Sequence, residues 1–167
     1  MLAAARRGDL PHGSFTTDTP RGTVIATIFE SLAQRPGQVV ILRLPAERDR
    51  AAARALARRL GDLGREGFSL VVTPDGPWGP YRVAKPGALL VARQSGLPIL
   101  PVAVRARPAF RLPRRWDRQL VPLPFSRLAL VAGEPLAVAD DRPLRPLVPA
   151  LQDALDRVTA AAEGRLP

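Results

Sequence analysis

The sequence contains no cysteine, a single histidine (His12) and a single lysine (Lys85). Without cysteine there is no disulfide framework, no Cys-bearing zinc site and no thiol nucleophile. One histidine excludes the usual multi-histidine metal sites. No apolar run approaches the ~20 residues needed to span a bilayer. Residues 1–10 carry two arginines but not the apolar stretch of roughly 7–15 residues that a secretory leader requires. The expected location is therefore the cytoplasm. No self-similar period runs along the chain, which excludes a repeat array.

What is present is a globular composition. The chain has 167 residues, 46% hydrophobic and 24% charged, which fits one domain over residues 1–167 with a real core. The balance of charge is less ordinary. Lys plus Arg number 25 against 15 Asp plus Glu, a formal net charge of +10. Such a surface favours anionic partners, whether nucleic acid, acidic lipid headgroups or phosphorylated substrates. Arginine in place of lysine, with abundant alanine, is also what codon drift in a GC-rich genome produces, so charge alone selects no function. No helix-turn-helix, ribonucleoprotein or zinc motif is visible, and no specific nucleic-acid partner is expected.

Hydrophobic spacing gives the expected elements. Within residues 22–34, Val24, Ile25, Ile28, Phe29 and Leu32 recur at helical intervals before the Pro36-Gly37 breaker, predicting a helix with a buried face. Residues 38–44 are a β-branched strand, and residues 46–63 an amphipathic helix closed by Gly61 or Gly64. Its arginine stripe, Arg50, Arg54 and Arg58, reads as a solvated face. A strand at 68–73, a helix at 87–94, a buried strand at 97–104, a strand at 128–132 and a helix at 140–164 follow. Apolar strands alternating with helices predict an α/β fold, a mostly parallel central sheet flanked by helices. Ligands in such sheets bind beyond the carboxyl ends of strands, which directs attention to the loop after residue 73.

That loop reads Thr73-Pro74-Asp75-Gly76-Pro77-Trp78-Gly79-Pro80, followed by Arg82 and Lys85. Three prolines stiffen it, two glycines permit close backbone approach, and two cations follow within reach of an anion. An ordinary Pro/Gly connection is the alternative reading. The stretch VVTPDGPWGPYRVAKPGALLVARQSGLPILPVAV resembles the glycerolipid and lysophospholipid acyltransferase superfamily. It looks most like a bacterial branch whose loop usually reads T-P-D-G-P-R-G-P, where the wider superfamily has E-G-T-R-S. The segments Gly96 to Val102, Trp116-Asp117-Arg118, Pro122 to Arg127 and Gly133-Glu134-Pro135 resemble the same branch. The resemblance is strong over residues 71–136 and weak before them.

The resemblance implies an acyltransferase-like domain that moves an acyl group from an acyl thioester, on coenzyme A or acyl carrier protein, to a lipid or lipid-precursor hydroxyl. The acceptor implied is glycerophosphate-type or lipid-A-like, and no cofactor is bound. In that family the histidine of an H-x4-D motif is the general base and the aspartate orients it. Here His12 and Asp18 stand as H-x5-D, the implied catalytic pair. A competing alignment sets residues 17–22 against S-x-x-x-D-G, with Arg21 where the acid belongs. Under it the first catalytic block is absent and the chain is a truncated or degenerate homologue that binds anionic lipid or phosphate. Asp75, Gly76, Pro77, Trp78, Gly79, Arg82 and Lys85 are the implied acceptor-binding residues. Trp78 replaces the branch's arginine, so Arg82 or Lys85 inherits the anion contact. Arg111, Arg114 and Arg115, interleaved with Phe110, Leu112 and Trp116, point to an anionic membrane surface, with the protein peripheral at its cytoplasmic face.

Overall fold

The computed structural model describes residues 10–31, 33–139 and 143–166. They divide into two compact units, Met1–Thr73 with Leu90–Leu97, and Pro74–Leu89 with Pro98–Pro167.

The first unit is built on a parallel sheet of order β2-β1-β3, with β1 (His12–Thr17) between β2 (Val39–Leu44) and β3 (Ser69–Leu70). β1 pairs with β2 from His12↔Val39 to Thr17↔Leu44 and with β3 at His12↔Ser69 and Gly13↔Leu70. Hydrophobic spacing does not predict this central strand. Its sequence, His-Gly-Ser-Phe-Thr-Thr, has one large apolar residue and reads as a loop. Burial between two partners, not apolar content, makes it a strand. Helix α2 (Arg50–Arg65) starts on Asp49, whose side chain accepts from the N–H groups of Ala51 and Ala52. Its Ala57, Leu60 and Leu63 pack with Val91 against Phe15, Val40, Leu42, Leu70 and Val72, while Arg50, Arg54 and Arg58 remain exposed.

Two expectations here are overturned by glycine. Gly61 and Gly64 do not end α2; they lie inside it, buried. A Cβ on either would come within 2.5 Å of the Cβ of Gln94 or Ser95 in helix α3 (Pro86–Ser95), so these glycines let two helices touch. Helix α1 (Pro20–Ser31) likewise does not bury its large residues. Gly22 and Ala26, one turn apart, face inward, and Val24, Ile25, Ile28 and Phe29 are exposed. The smallest residues win the contact because the backbone comes so close: a Cβ on Gly22 would sit 1.8 Å from the Thr17 carbonyl oxygen. Leu32, assigned to the same face, lies outside the described residues.

The second unit holds an antiparallel ribbon of β4 (Val102–Arg111) and β5 (Leu120–Ala132), covered on one side by α4 (Val148–Arg165). Val131, Val158 and Ala162 with Ala103 form one cluster, and Ala84, Leu89 and Leu151 with Ile99, Leu136 and Leu147 another. The fold is thus mixed α/β with a three-stranded parallel sheet, while the remaining strands pair antiparallel. The buried strand expected at 97–104 begins five residues later, and its Val102 and Val104 are exposed. The proline- and arginine-rich residues between the expected strands at 97–104 and 128–132 prove to belong in part to the ribbon, at 105–111 and 120–127. A two-stranded ribbon has two free edges, which tolerate prolines that a central strand would not. The expected helix at 140–164 is a 3-10 turn, Arg145–Leu147, leading into α4.

Replacing Gly22 by alanine forces α1 off the sheet. Gly22→Ala is expected to lose about 2 kcal/mol or more of unfolding free energy in a urea titration. Thr27 lies on the exposed face of the same helix. There Thr27→Ala is expected to lose nothing and to gain up to about 0.5 kcal/mol from helix propensity.

Candidate anion-binding site

The loop singled out in the sequence closes on itself within the second unit. The Lys85 N–H donates to the Pro74 carbonyl at 2.9 Å, so residues 74–85 form one ring of chain. Gly76 (φ +69°) and Gly79 (φ +63°) take left-handed conformations that the turns require. Gly79 has a second constraint: a Cβ there would lie 2.4 Å from the Trp116 ring, which rests on its backbone. The Asp75 carboxylate turns inward and accepts from its own N–H and that of Arg82. Burial raises its pKa, and those two bonds and the charge of Lys85 only partly offset this. The Lys85 ammonium lies 3.8 Å from where a Gly76 side chain would begin, so glycine leaves room for it. Pro77 and Trp78 are half-buried.

Around Tyr81 the same loop collects arginines. Arg111 Nη1 donates to the Tyr81 hydroxyl at 3.2 Å, and the guanidiniums of Arg82 and Arg118 each lie 5.4 Å from the ring centroid. Arg82 is paired with Glu163 of α4 at 2.9 Å. That bond, more than the charges of Arg105 and Arg111, pulls the Glu163 pKa down. Arg105 Nε is buried without a hydrogen-bond partner. Four guanidiniums therefore gather around Tyr81 and the Glu163 carboxylate. Gln152 of α4 fixes the backbone beneath them, accepting from the Ala84 N–H at 2.8 Å and donating to the Arg82 carbonyl at 3.1 Å. Arg115 and Asp117 pair beside the loop, which lowers the Asp117 pKa.

The implied catalytic pair belongs to the first unit. His12 opens β1 and is exposed, its backbone N–H on the Gln38 carbonyl. Asp18 lies just past the other end of β1, exposed, its N–H on the Leu44 carbonyl at 2.6 Å. Six residues of extended chain separate them by about 20 Å, so the structure does not bring the two together. Asp18 stands at the carboxyl edge of the sheet and His12 at the amino edge. Thr19 caps α1 through its hydroxyl, which accepts from the Gly22 N–H at 3.1 Å. The loop residues Asp75, Gly76, Gly79, Arg82 and Lys85 do come together, although Arg82 is already engaged by Glu163.

Sequence reading missed Tyr81, Gln152 and Glu163. Tyr81 has no motif signal of its own. Gln152 and Glu163 lie about seventy to eighty residues beyond the loop and reach it only through tertiary packing. Among the described residues no cluster of three acidic or histidine side chains is placed to hold a metal ion, and no helix is long and apolar enough to cross a membrane.

No protein-family model matches the chain, and no solved structure does. A protein of Rickettsia prowazekii (strain Madrid E) named only as uncharacterized is 33% identical over 88 residues. That match covers 53% of this chain and 39% of the relative's length.

Because burial raises the Asp75 pKa, the folded state holds its proton at a pH where the unfolded chain has released it. The ionised carboxylate therefore costs stability as pH rises from the ordinary aspartate range through the raised value. Asp75→Asn is expected to flatten that part of the stability-pH curve, read from thermal melts across mildly acidic to neutral buffers. A drop in the mutant at neutral pH alone would show instead that the ionised carboxylate holds the loop together.

Proposed function

We propose that this protein is an acyltransferase of the lysophospholipid type, passing an acyl group from an acyl thioester to a hydroxyl of a phosphate-bearing lipid acceptor. The observation that carries the reading is the arginine surplus around the Asp75-Gly76 loop, where Arg82, Arg105 and Arg111 all act on one carboxylate, Glu163, and Arg118 joins Arg82 over the Tyr81 ring. A partly buried cluster of this kind favours a di- or monoanionic group over water, because planar guanidiniums match phosphate oxygens in pairs. Lys85 adds a flexible point charge beside Gly76. The acceptor's phosphate would seat here and hold the molecule while its hydroxyl is deprotonated. The hydroxyl oxygen then attacks the thioester carbonyl, the C–S bond breaks, and the thiolate leaves with a proton. Coenzyme A or acyl carrier protein is the donor, and the work is done peripherally, at the cytoplasmic face of a bacterial membrane.

A second reading is favoured by the placement of His12 and Asp18 at opposite ends of β1. On that reading the chain keeps the anion site and binds anionic lipid or phosphate without transferring acyl groups.

Transfer of a labelled acyl chain from a thioester to a panel of lyso-acceptors separates the two. The enzymatic reading expects turnover, with Arg111→Gln raising the acceptor KM about tenfold through loss of one charge-assisted contact and leaving the donor KM unchanged. His12→Ala abolishes turnover if His12 is the base. Folded protein that binds phosphate but transfers nothing establishes the binding reading.

A further inference from the structure

The ribbon is interrupted at one place. Pairing runs in register from Val102↔Ala132 to Arg107↔Arg127 and resumes at Ala109↔Pro122, so Leu123, Pro124, Phe125 and Ser126 oppose only Pro108. These residues form a protrusion, tied at its base by the Ser126 hydroxyl, which donates to the Leu123 carbonyl at 2.6 Å or to that of Pro108. Phe125 is left-handed (φ +65°) and wholly exposed at 102%. An aromatic residue in that conformation is a genuine outlier, and such strain persists where surrounding structure imposes it. Here no folded-state contact rewards it. Leu123 beside it is also exposed.

At the foot of the protrusion Arg107 and Arg127 stand directly opposite each other, both exposed. Like charges in that register weaken a ladder. Neither guanidinium has an acidic partner among the described residues. With Pro108, Ala109 and Phe125 they line an open groove of about 600 Å³. A pair of uncompensated guanidiniums beneath an apolar tip matches the layering of an anionic bilayer, phosphates outermost and acyl chains below. A free phosphate would use the arginines and leave Phe125 unexplained. A single-stranded nucleic acid would stack on Phe125 but gain nothing from Leu123 and Pro124.

We propose that this protrusion is a membrane-docking wedge: Phe125 and Leu123 enter the interface of an anionic bilayer while Arg107 and Arg127 bind lipid phosphates. The wedge rests on the peripheral-membrane part of the function proposed above and is independent of the acyl-transfer step.

Flotation of the whole chain with vesicles tests it, using phosphatidylcholine alone, phosphatidylcholine with an equal share of phosphatidylglycerol, and a single-stranded oligonucleotide as competitor. The protein is expected to float with the anionic vesicles only, more weakly as salt rises. Phe125→Ala should weaken binding about tenfold, and Arg107→Gln and Arg127→Gln about fivefold each, with no melting temperature lowered, because all three side chains are exposed and losing either arginine relieves a like-charge pair. Phe125→Trp should retain binding. If wild type floats and these variants float equally, the wedge is refuted and the membrane reading stands. If wild type floats with neither vesicle, both fall. Binding to the oligonucleotide with none to vesicles also overturns the wedge. Turnover of a water-soluble short-chain acceptor by the variants, measured beside flotation, keeps the question of catalysis apart.

Discussion

Helix α4 presents two stripes on one cylinder, and the arrangement of the second unit depends on both. Leu151, Ala154, Val158 and Ala162 recur at helical intervals and are buried. Gln152, Asp156 and Glu163 recur on a neighbouring face, Gln152 and Glu163 being eleven residues, about three turns, apart. The first stripe packs the helix under the ribbon. The second then meets the loop, Gln152 holding its backbone at two points and Glu163 holding Arg82. Core packing and the geometry of the 74–85 loop are consequently set by the same rigid element. A shift of α4 along its axis would displace both together.

The loop carries its own tension. One carboxylate, Asp75, is drawn inside by two backbone N–H groups against the cost of burial, while the arginines outside it are short of anions. The two imbalances have opposite sign and lie in one stretch of chain. Lys85 sits between them, close to Gly76 and felt by Asp75. On the proposed function, an incoming anion would relieve the guanidiniums without competing for the hydrogen bonds that Asp75 already accepts.

Much of the architecture was legible in the sequence where side chains decide it. The strand at 39–44, the helix carrying Leu56, Leu60 and Leu63, and the helix ending near Ser95 follow from periodicity. The loop at 74–85 was legible because proline and glycine restrict chains in ways that leave a visible pattern. Illegible were the features decided by backbone proximity. β1 contains too little apolar surface to read as a strand and is made one by its neighbours. α1 turns its large residues outward because only Gly22 and Ala26 fit against the sheet. The ribbon was hidden by its prolines. Gln152 and Glu163 are ordinary polar residues of a surface helix until the fold carries the loop to them. The pairing of His12 with Asp18 follows only from the family resemblance, and an extended strand turns their short separation in sequence into distance.

The close approaches at Gly22, Gly61 and Gly64 have a consequence for how this sequence can change over generations. Single-base changes from glycine codons lead readily to alanine and arginine, two residues in which this chain is rich. At most surface positions either is harmless. At these three the added carbon meets a carbonyl oxygen or a neighbouring helix at 1.8 to 2.5 Å. At these three codons the single-base routes to alanine and arginine are therefore closed by the packing itself, and glycine is the residue the fold requires.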